Sequence, residues 1–300
     1  MYKRQYHIFE EYAYYLVSEA RQKCANHIFK LGGNVYAFDS TTIDLCLSVF
    51  WWAKFRKKKG GIKVHTLYDI ETQIPAFFHI TEASVHDSKV MNEIPYEPGS
   101  YYIFDRGYNN FKMLYKIHQI EAYFVVRAKK NLQYKSIKWK RRLPKNVFSD
   151  ASILLTGFYP KQYYPEPLRL VKYWDEEQER EFTFITNAMH ISALQVAELY
   201  KNRWQVELFF KWLKQHLKIK RFWGTTENAV RIQIYAAICT YCLVAIIQHD
   251  MQLDRSTYEV LQILSISLTD KTHLRDLFDK TKFQNDKERF GPNGPSLFNF

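Results

Sequence analysis

Two aspartates follow short hydrophobic segments and are candidates for metal ligands. Asp39 follows the apolar residues 35–38, and Asp105 follows the apolar residues Tyr101–Phe104. We expect both segments to be neighbouring parallel strands of a mixed α/β sheet, which would place the two carboxylates side by side at the carboxyl edge. Gly107 would let the backbone turn away behind Asp105. A strand-end Asp alone is more often a helix cap or a turn residue, so a third acid is needed.

Glu207 is the third candidate acid, and it lies on a predicted helix over residues 192–217. At about 3.6 residues per turn, several polar residues fall on one narrow stripe of this helix. They are Tyr200, Arg203, Glu207, Lys211 and Lys214. Apolar residues flank the stripe on both sides, whereas a solvated helix face would be broadly polar. An ion-pair ladder between Glu207 and Lys211 is the alternative, but it would leave Arg203 and Lys214 without acidic partners.

Three carboxylates suit hard divalent cations, which take oxygen ligands and bridge phosphate oxygens. Two such ions about 3.5–4 Å apart would activate an attacking oxygen and stabilise the leaving oxygen in phosphoryl transfer. Arg203 and Lys214 cannot bind a cation, so we expect them to bind the flanking phosphates instead. Replacing either by Ala should therefore leave metal binding intact.

Basic residues are clustered in this chain of 300 residues, which has a net charge of +12. Residues 54–63 contain six basic residues and residues 127–145 contain nine, and neither segment contains an acid. One such run is usually a solvated face, but repeated acid-free runs that include aromatic residues favour a nucleic-acid partner. The residues of these runs that we predict to contact DNA are Lys57, Lys58, Lys59, Lys130, Arg141 and Arg142, and we predict the same role for Lys211 on the stripe of the Glu207 helix.

The elements that position these residues alternate between strands and helices. The predicted order before residue 130 is β-β-β-α-β-α-β, which indicates an α/β fold with one mixed sheet in the ribonuclease H-like arrangement. Asp87 is expected to cap a short helix. The expected segments are an N-terminal helix (1–34), the first part of the catalytic core (35–129), an all-β insertion (130–188), the second part of the core with the Glu207 helix (189–249) and a helical tail (250–300).

The cysteines and the most apolar segment do not indicate secretion or a membrane. Cys239 and Cys242 form a C-x-x-C inside the apolar run 232–247, where helix burial is favoured over redox or metal chemistry. That run is shorter than the ~20 residues that cross a bilayer. The chain opens without an apolar signal stretch, so we expect a location in the bacterial cytoplasm and no membrane partner.

One spacing in the chain is specific enough to indicate a family. Tyr200-x-x-Arg203-x-x-x-Glu207-x-x-x-x-x-x-Lys214 matches the Y-(2)-R-(3)-E-(6)-K signature. Residues 38–42 and 105–108 are similar to the first and second acidic motifs of the same proteins. From residue 35 to residue 248 the chain therefore resembles the insertion-sequence DDE transposases that move by cut and paste, often called the insertion-sequence-four family.

The resemblance implies a reaction, a cofactor and partners. Asp39, Asp105 and Glu207 would bind two magnesium ions, which manganese can replace, while Tyr200, Arg203 and Lys214 would grip the cleaved DNA end. The reaction would be strand cleavage and strand transfer at insertion-sequence ends, with a DNA hairpin intermediate. The partners would be double-stranded DNA of the transposon ends and target, bound by a homodimer.

Two alternatives stay open at this point. Complete family members carry an N-terminal helical domain that recognises the transposon ends, whereas only one helix is predicted before residue 35, so we expect a shortened chain. Such a chain could be a non-mobile DNA-binding remnant. A ribonuclease H-like nuclease would share the three acids but would need neither the β insertion nor the basic stripe. Detection of strand joining would separate the transposase from the nuclease.

Overall fold

The computed structural model describes residues 5–25, 29–46, 48–56, 59–216, 222–267 and 271–280, without the side chains of residues 54–56, 59, 216, 279 and 280. Contacts within the chain divide it into two units, Met1–Ile246 and Ile247–Phe300. The helices are α1 His7–Lys23, α2 Asp87–Val90, α3 Phe111–Gln119, α4 Phe158–Tyr163, α5 Ala193–Lys201, α6 Trp204–His216, α7 Glu227–Asp250, α8 Thr257–Ile266 and α9 Leu274–Lys280. The strands are β1 Val35–Leu45, β2 Lys54–Arg56, β3 Lys59–Asp69, β4 Ile74–Glu82, β5 Tyr101–Phe104, β6 Tyr123–Arg127, β7 Tyr134–Trp139, β8 Val147–Leu155, β9 Leu168–Asp175 and β10 Arg180–Thr186.

The described strands form one mixed sheet. Its order is β2-β3-β1-β5-β6-β10-β9-β8-β7, and β4 pairs with β3 as well. The central strands β1, β5 and β6 are parallel to one another. The strand pairs on both sides of them are antiparallel. The predicted α/β fold with a mixed sheet is confirmed, and so is the prediction that the segments before Asp39 and Asp105 are neighbouring parallel strands.

Apolar side chains bury the central strands on both faces. Along β1 the side chains alternate, with Val35 and Ala37 in one buried group and Tyr36 and Phe38 in the other. The first group includes residues of α1, α5, α6 and α7, and we call this side of the sheet the α6 face. The second includes residues of α2 and α3, and we call that side the α2 face. Burial on both faces explains why the segment before Asp39 is a continuous hydrophobic run.

Two glycines bring the starts of β1 and β5 close together. A Cβ atom on Gly33 would lie only 2.2 Å from the carbonyl oxygen of Gly99, so a larger residue requires one strand to move. Gly99 has a φ of +74°, a left-handed conformation that glycine adopts without steric cost. From this contact the strands pair in parallel until Phe38 lies opposite Phe104. The register of the two strands that lead to the candidate acids is therefore fixed where the strands begin.

The helix predicted over residues 192–217 consists of two helices, α5 and α6. The side-chain amide of Asn202 donates a hydrogen bond to the carbonyl oxygen of Glu198 at 2.9 Å. Such a side chain competes with the backbone for hydrogen-bond partners and disfavours a regular helix. The backbone tightens at this point, because the N–H of Arg203 donates to the carbonyl oxygen of Tyr200, three residues earlier. The prediction of one continuous helix is therefore wrong.

Other predicted elements differ in detail. The segment 130–188 is not all β, since it contains α4, and it extends the central sheet because β10 pairs with β6. β1 does not end before Asp39 but continues to Leu45, since β3 pairs with it over that length. His86, not Asp87, caps α2, and its ring nitrogen accepts a hydrogen bond from the N–H of Ser88 at 3.3 Å. The predicted cap of α5 at Ser192 is confirmed.

α7 is the one helix of the described residues that is long and apolar enough, by length and composition, to cross a membrane. Half of its most apolar stretch is buried inside the protein. Cys239 and Cys242 belong to the buried group on the α6 face, as predicted, and burial raises the pKa of the Cys239 thiol to about 11. In the second unit, α8 begins with a capping box of Ser256 and Glu259, which confirms helical structure in the tail.

Candidate active site

Asp39 and Asp105 lie beside a gap in the sheet. Phe38 and Phe104 are the last paired residues of β1 and β5, and each aspartate is the next residue of its chain segment. β5 ends at this point, whereas β1 continues with β3 on its other side. The end of β5 thus leaves β1 without a neighbour on that side, and both aspartates lie at the opening.

Arg203 joins Asp39 to Glu207. One guanidinium nitrogen donates to Oδ2 of Asp39 at 2.6 Å, and another donates to Oε1 of Glu207. The Arg203 side chain is 14% exposed and that of Asp39 is 23% exposed, so this ion pair is largely shielded from water, whereas Glu207 is 56% exposed. Burial is the largest influence on Asp39 and raises the pKa of its carboxyl group, although the Arg203 guanidinium opposes this effect. Burial alone would lower the pKa of Arg203, but the neighbouring carboxylates outweigh it and raise that pKa.

Asp105 is held by different partners. The hydroxyl of Tyr200 donates to Oδ1 of Asp105 at 2.8 Å, and a guanidinium nitrogen of Arg127 lies 4.0 Å from the same oxygen. Burial acts to raise the pKa of Asp105, but hydrogen bonds from the Arg106 N–H and the Tyr200 hydroxyl outweigh it, so the pKa is lowered. Burial raises the pKa of Tyr200 to about 12, which keeps its hydroxyl protonated as a donor.

Tyr108 connects the second acidic motif to Asp39. It lies in a 3₁₀ turn, Arg106–Tyr108, directly after Asp105. Its hydroxyl donates to Oδ1 of Asp39 at 3.5 Å, and the N–H of Ser40 donates to the same oxygen at 2.8 Å. Burial is the largest cause of the raised pKa of Tyr108. The residues after each aspartate therefore support Asp39.

Two pockets lie near the candidate acids, and two of these acids line the first pocket. The first has a volume of about 470 Å³ and is lined by Asp105, Glu207, Tyr200 and Arg203, together with residues of β9, β10 and α5. The second has a volume of about 250 Å³, and five of its lining residues are basic. These are Arg106, Arg127, Lys129, Lys130 and Lys172. We call it the basic pocket. Arg127 lines both pockets, so the basic pocket adjoins the acid site directly.

The predicted DNA-binding residues have different environments. Lys130 lines the basic pocket, whereas Arg141 and Arg142 are exposed between β7 and β8 and line neither pocket. On α6, Lys211 is exposed and Lys214 is half-buried. Lys57 and Lys58 lie outside the described residues, and Lys59 is described only by its backbone at the start of β3.

The candidate acids have the chemistry of a magnesium site. All three are carboxylates, the oxygen ligands that hard divalent cations prefer. Among the residues that the structure describes, no three His, Cys, Asp or Glu side chains converge closely enough to hold a metal ion. A cation nevertheless lies between two of the acids, since Arg203 contacts both Asp39 and Glu207, and its Nε atom is buried without a hydrogen-bond partner. The donor set and this stand-in charge fit a divalent cation, while the metal cluster itself stays a prediction.

Sequence reasoning missed Arg127. The strand register could have indicated it, because Phe104 of β5 pairs with Val126 of β6. The residue after each of them therefore lies at the same edge of the sheet, where Asp105 is one and Arg127 the other. Ser40 and Tyr108 belong to motifs that the sequence singled out, but their contacts with Asp39 could not be derived from spacing.

Comparisons with known proteins place this site in context. Residues 30–243 match the family model described as "Transposase DDE domain". A Sinorhizobium fredii protein named as transposase y4zB is 35% identical over 246 residues, which cover 80% of this chain and 67% of that protein. A Geobacillus stearothermophilus protein named as the transposase of insertion sequence element IS5377 is 31% identical over 205 residues, which cover 68% of this chain and 54% of that protein. A Synechocystis protein named as the transposase of insertion sequence element IS4SA is 24% identical over 282 residues, which cover 90% of this chain and 76% of that protein.

Proposed function

We infer the chemistry of this site from its family, because this chain belongs to the transposase DDE family of insertion sequences and is an enzyme that acts on DNA. It catalyses metal-dependent strand cleavage and strand transfer at the ends of an insertion sequence, and Asp39, Asp105 and Glu207 are its metal ligands. One observation carries this proposal. Arg203 contacts Asp39 and Glu207 while Tyr200 contacts Asp105, so the three acids are linked at one opening of the sheet.

The catalytic core is ribonuclease H-like. Its support is the strand order β4-β3-β1-β5-β6, in which two antiparallel pairs precede two parallel pairs, as the order of elements in the sequence predicts. The segment 130–188 enlarges this core through β10, which pairs with β6. We keep 35–129 and 189–249 as the two parts of the core, with residues 1–34 before them and 250–300 after them.

The cofactor is a pair of magnesium ions, for which manganese can substitute. When bound, they supply an activated oxygen nucleophile and stabilise the leaving oxygen of the phosphodiester. Asp39, Asp105 and Glu207 would hold them. Tyr200 and Tyr108 orient two of these carboxylates by donating hydrogen bonds to Asp105 and Asp39.

Arg203 has two successive partners in this proposal. In the absence of the ions it neutralises the exposed Glu207 and the half-buried Asp39, whose carboxylate needs a counter-charge. With the ions bound, those oxygens would be their ligands, and the planar guanidinium of Arg203 would bind a phosphate of the DNA end instead. Lys214 lies on α6 beyond Glu207 and acts on a phosphate as a point charge.

The DNA lies across the gap beside β5 and over the basic pocket. Arg127 lines both the acid site and the basic pocket, so the phosphate backbone of the DNA would meet a continuous row of cations. Lys129 and Lys130 are exposed there and can neutralise phosphates. Lys211, Arg141 and Arg142 are exposed as well and extend the basic surface, and Lys57, Lys58 and Lys59 are proposed for the same role from the sequence alone.

The assembly and the order of steps follow the resemblance to the insertion-sequence-four family. Two copies of the chain act on paired transposon ends in the bacterial cytoplasm, each end passes through a hairpin, and the freed element is joined to target DNA. The chain spans about half the length of its Geobacillus relative and two thirds of its Sinorhizobium relative, so we propose these partners for the catalytic region.

A reconstituted reaction tests the proposed function. A labelled double-stranded DNA that carries one end of the encoding element is incubated with the chain and magnesium, manganese or EDTA. We expect strand cleavage and strand joining with either metal and neither product in EDTA. Cleavage without any joined product would favour the nuclease, and metal-independent cleavage would overturn the proposal.

A further inference from the structure

Asp87 is bound to the residue next to a proposed metal ligand. It is the first residue of α2, but His86 caps that helix in its place. Oδ1 of Asp87 accepts a hydrogen bond from the Ser40 hydroxyl at 2.8 Å, and Nζ of Lys63 lies 3.1 Å from the same oxygen. Ser40 directly follows Asp39 in β1. The sequence predicts that Asp87 caps a helix, but in the structure its carboxylate holds β1 at Ser40, beside the acid site.

The contact acts on Asp39 from the opposite face of the sheet. Side chains alternate along a strand, so Ser40 lies on the face that Phe38 shares with α2, and Asp39 on the other. The N–H of Ser40 donates to Oδ1 of Asp39 at 2.8 Å. Asp87 thus fixes the side chain of a residue whose backbone holds the Asp39 carboxylate. The contact with Asp87 holds β1 where β5 no longer pairs with it, since the pairing of these strands ends at Phe38.

Lys63 balances the charge of Asp87. Its side chain is 14% exposed, and it also donates to the carbonyl oxygen of Val85 at 2.9 Å. The fully buried His65 ring lies 3.8 Å from Asp87, but burial lowers the pKa of His65 to about 4, so the ring is neutral. The only charges in direct contact with Asp87 among the described residues are therefore its own and that of Lys63, and they cancel.

We propose that Asp87 is a positioning residue for Asp39, that it acts through Ser40, and that Lys63 keeps its charge from perturbing the metal site. The proposal rests on the proposed function, in which Asp39 is a metal ligand. Loss of a group that orients a metal ligand typically lowers metal affinity or activity by roughly 10- to 100-fold. We expect that range for Asp87→Ala, both for Mn²⁺ affinity without DNA and for the single-turnover cleavage rate, with DNA affinity unchanged.

A set of variants separates positioning from folding. Ser40→Ala should reproduce the effect of Asp87→Ala, and the double variant Ser40→Ala/Asp87→Ala should be no worse than either, because both remove one contact. Asp87→Asn/Lys63→Met keeps the acceptor and removes both charges, so it should bind Mn²⁺ and cleave close to the parent level. Ser88→Ala is the matched control, since it alters α2 at the His86 cap without touching Ser40. Electron paramagnetic resonance measures bound Mn²⁺, and thermal unfolding shows that each variant is folded.

Parent-like Mn²⁺ affinity in Asp87→Ala, or effects of Ser40→Ala and Asp87→Ala that multiply in the double variant, would overturn the proposal. If Asp87→Ala does not fold, Ser40→Ala and Asp87→Asn/Lys63→Met carry the same test. Failure of the proposed function looks different, because the parent would then bind no Mn²⁺ or Glu207→Gln would cleave as the parent does.

Discussion

The cations of the acid site and those of the basic pocket have opposite environments. Arg203 is 14% exposed and contacts two carboxylates, whereas Lys129 and Lys130 are exposed at the edge of the basic pocket. Removing a buried cation leaves its carboxylates uncompensated, so it changes the electrostatics of the whole site. Removing an exposed cation changes one phosphate contact. Two residues of the same charge can therefore have very different effects when they are removed. A buried, ion-paired cation affects the whole acid site, whereas an exposed cation affects only its own phosphate contact.

The largest effect is expected on the acid side of this contrast, from Glu207→Gln. The substitution removes a ligand charge and keeps the shape, and the amide oxygen can still accept from Arg203. We expect the single-turnover cleavage rate to fall by roughly 10²- to 10³-fold, which corresponds to the several kcal/mol that a metal ion contributes. DNA affinity, measured by fluorescence anisotropy, should stay nearly unchanged. Nicking at a rate comparable to the parent would show that Glu207 is not a ligand.

A second expectation concerns a buried group that stays uncharged. Burial is the main cause that lowers the pKa of His65 from 6.5 to about 4; Lys63 and His79 add to it and Asp87 opposes it. As the pH falls, the unfolded chain binds a proton at His65 at a higher pH than the folded chain does. The contribution of neutral His65 to the free energy of unfolding is therefore complete above pH 6.5 and is lost as the pH falls from 6.5 towards 4. Between pH 7.5 and pH 5 the loss should be about 2 kcal/mol. The free energy of unfolding in urea, plotted against pH over this range, should change less for His65→Gln than for the parent. Equal changes in the two proteins would contradict a lowered pKa of His65.

A smaller effect is expected from Arg203→Ala, which removes the buried cation of the acid site. Sequence alone predicts that this substitution leaves metal binding intact, but the observed contacts change the expectation, because Arg203 competes for the same oxygens. We expect Mn²⁺ affinity without DNA to rise about tenfold, the lower end of what an adjacent opposite charge does to a carboxylate. Handling of the cleaved DNA end should weaken. Lys214→Ala is the control and should leave Mn²⁺ affinity unchanged; equal affinities in parent and Arg203→Ala would show that the guanidinium does not compete.

The smallest effect is expected in the basic pocket, from Lys129→Ala or Lys130→Ala. Either should weaken DNA binding by a few-fold on any sequence and reduce the slope of log K against log salt by about 0.9 per lost phosphate contact. The cleavage rate at saturating DNA should not change. Lys145→Ala is the matched control, because Lys145 is 83% exposed, pairs with Glu176 and lines neither pocket. An equal fall of this slope in the control would mean that the basic pocket binds DNA no more than the rest of the basic surface does.

Much of the site follows from sequence, because strands buried on both faces are recognisable as continuous apolar runs. Asp39 and Asp105 were assigned to neighbouring parallel strands on that basis, and the sheet confirms it. The strand ends could not be derived, since β1 continues past Asp39 only because β3 pairs with it there. Pairing between distant segments decides such ends, and hydrophobic periodicity does not report it.

The break between α5 and α6 shows a second limit. Helical periodicity continues through Asn202, so the pattern predicts one helix, but the side chain of Asn202 shares the carbonyl oxygen of Glu198 with its own backbone N–H. Arg203 lies in this two-residue break and contacts both Asp39 and Glu207. The structure brings Tyr200, Arg203 and Glu207 beside Asp39 and Asp105, whereas the spacing in the sequence does not indicate which partner each one has. The same holds for Asp87, where a capping pattern was right about the helix and wrong about which residue caps it.

Gly33 and Gly99 lie six residues before Asp39 and Asp105, respectively. Both acids therefore stand at the ends of arms of equal length, about 20 Å from the point where the two backbones touch. A methyl group at Gly33 would collide with the Gly99 carbonyl and would have to displace β1 against β5. That displacement would be carried along the strands to the carboxylates and would alter the spacing between them. The spacing of the two candidate metal ligands is thus set partly at the start of their strands, by two residues that have no side chains.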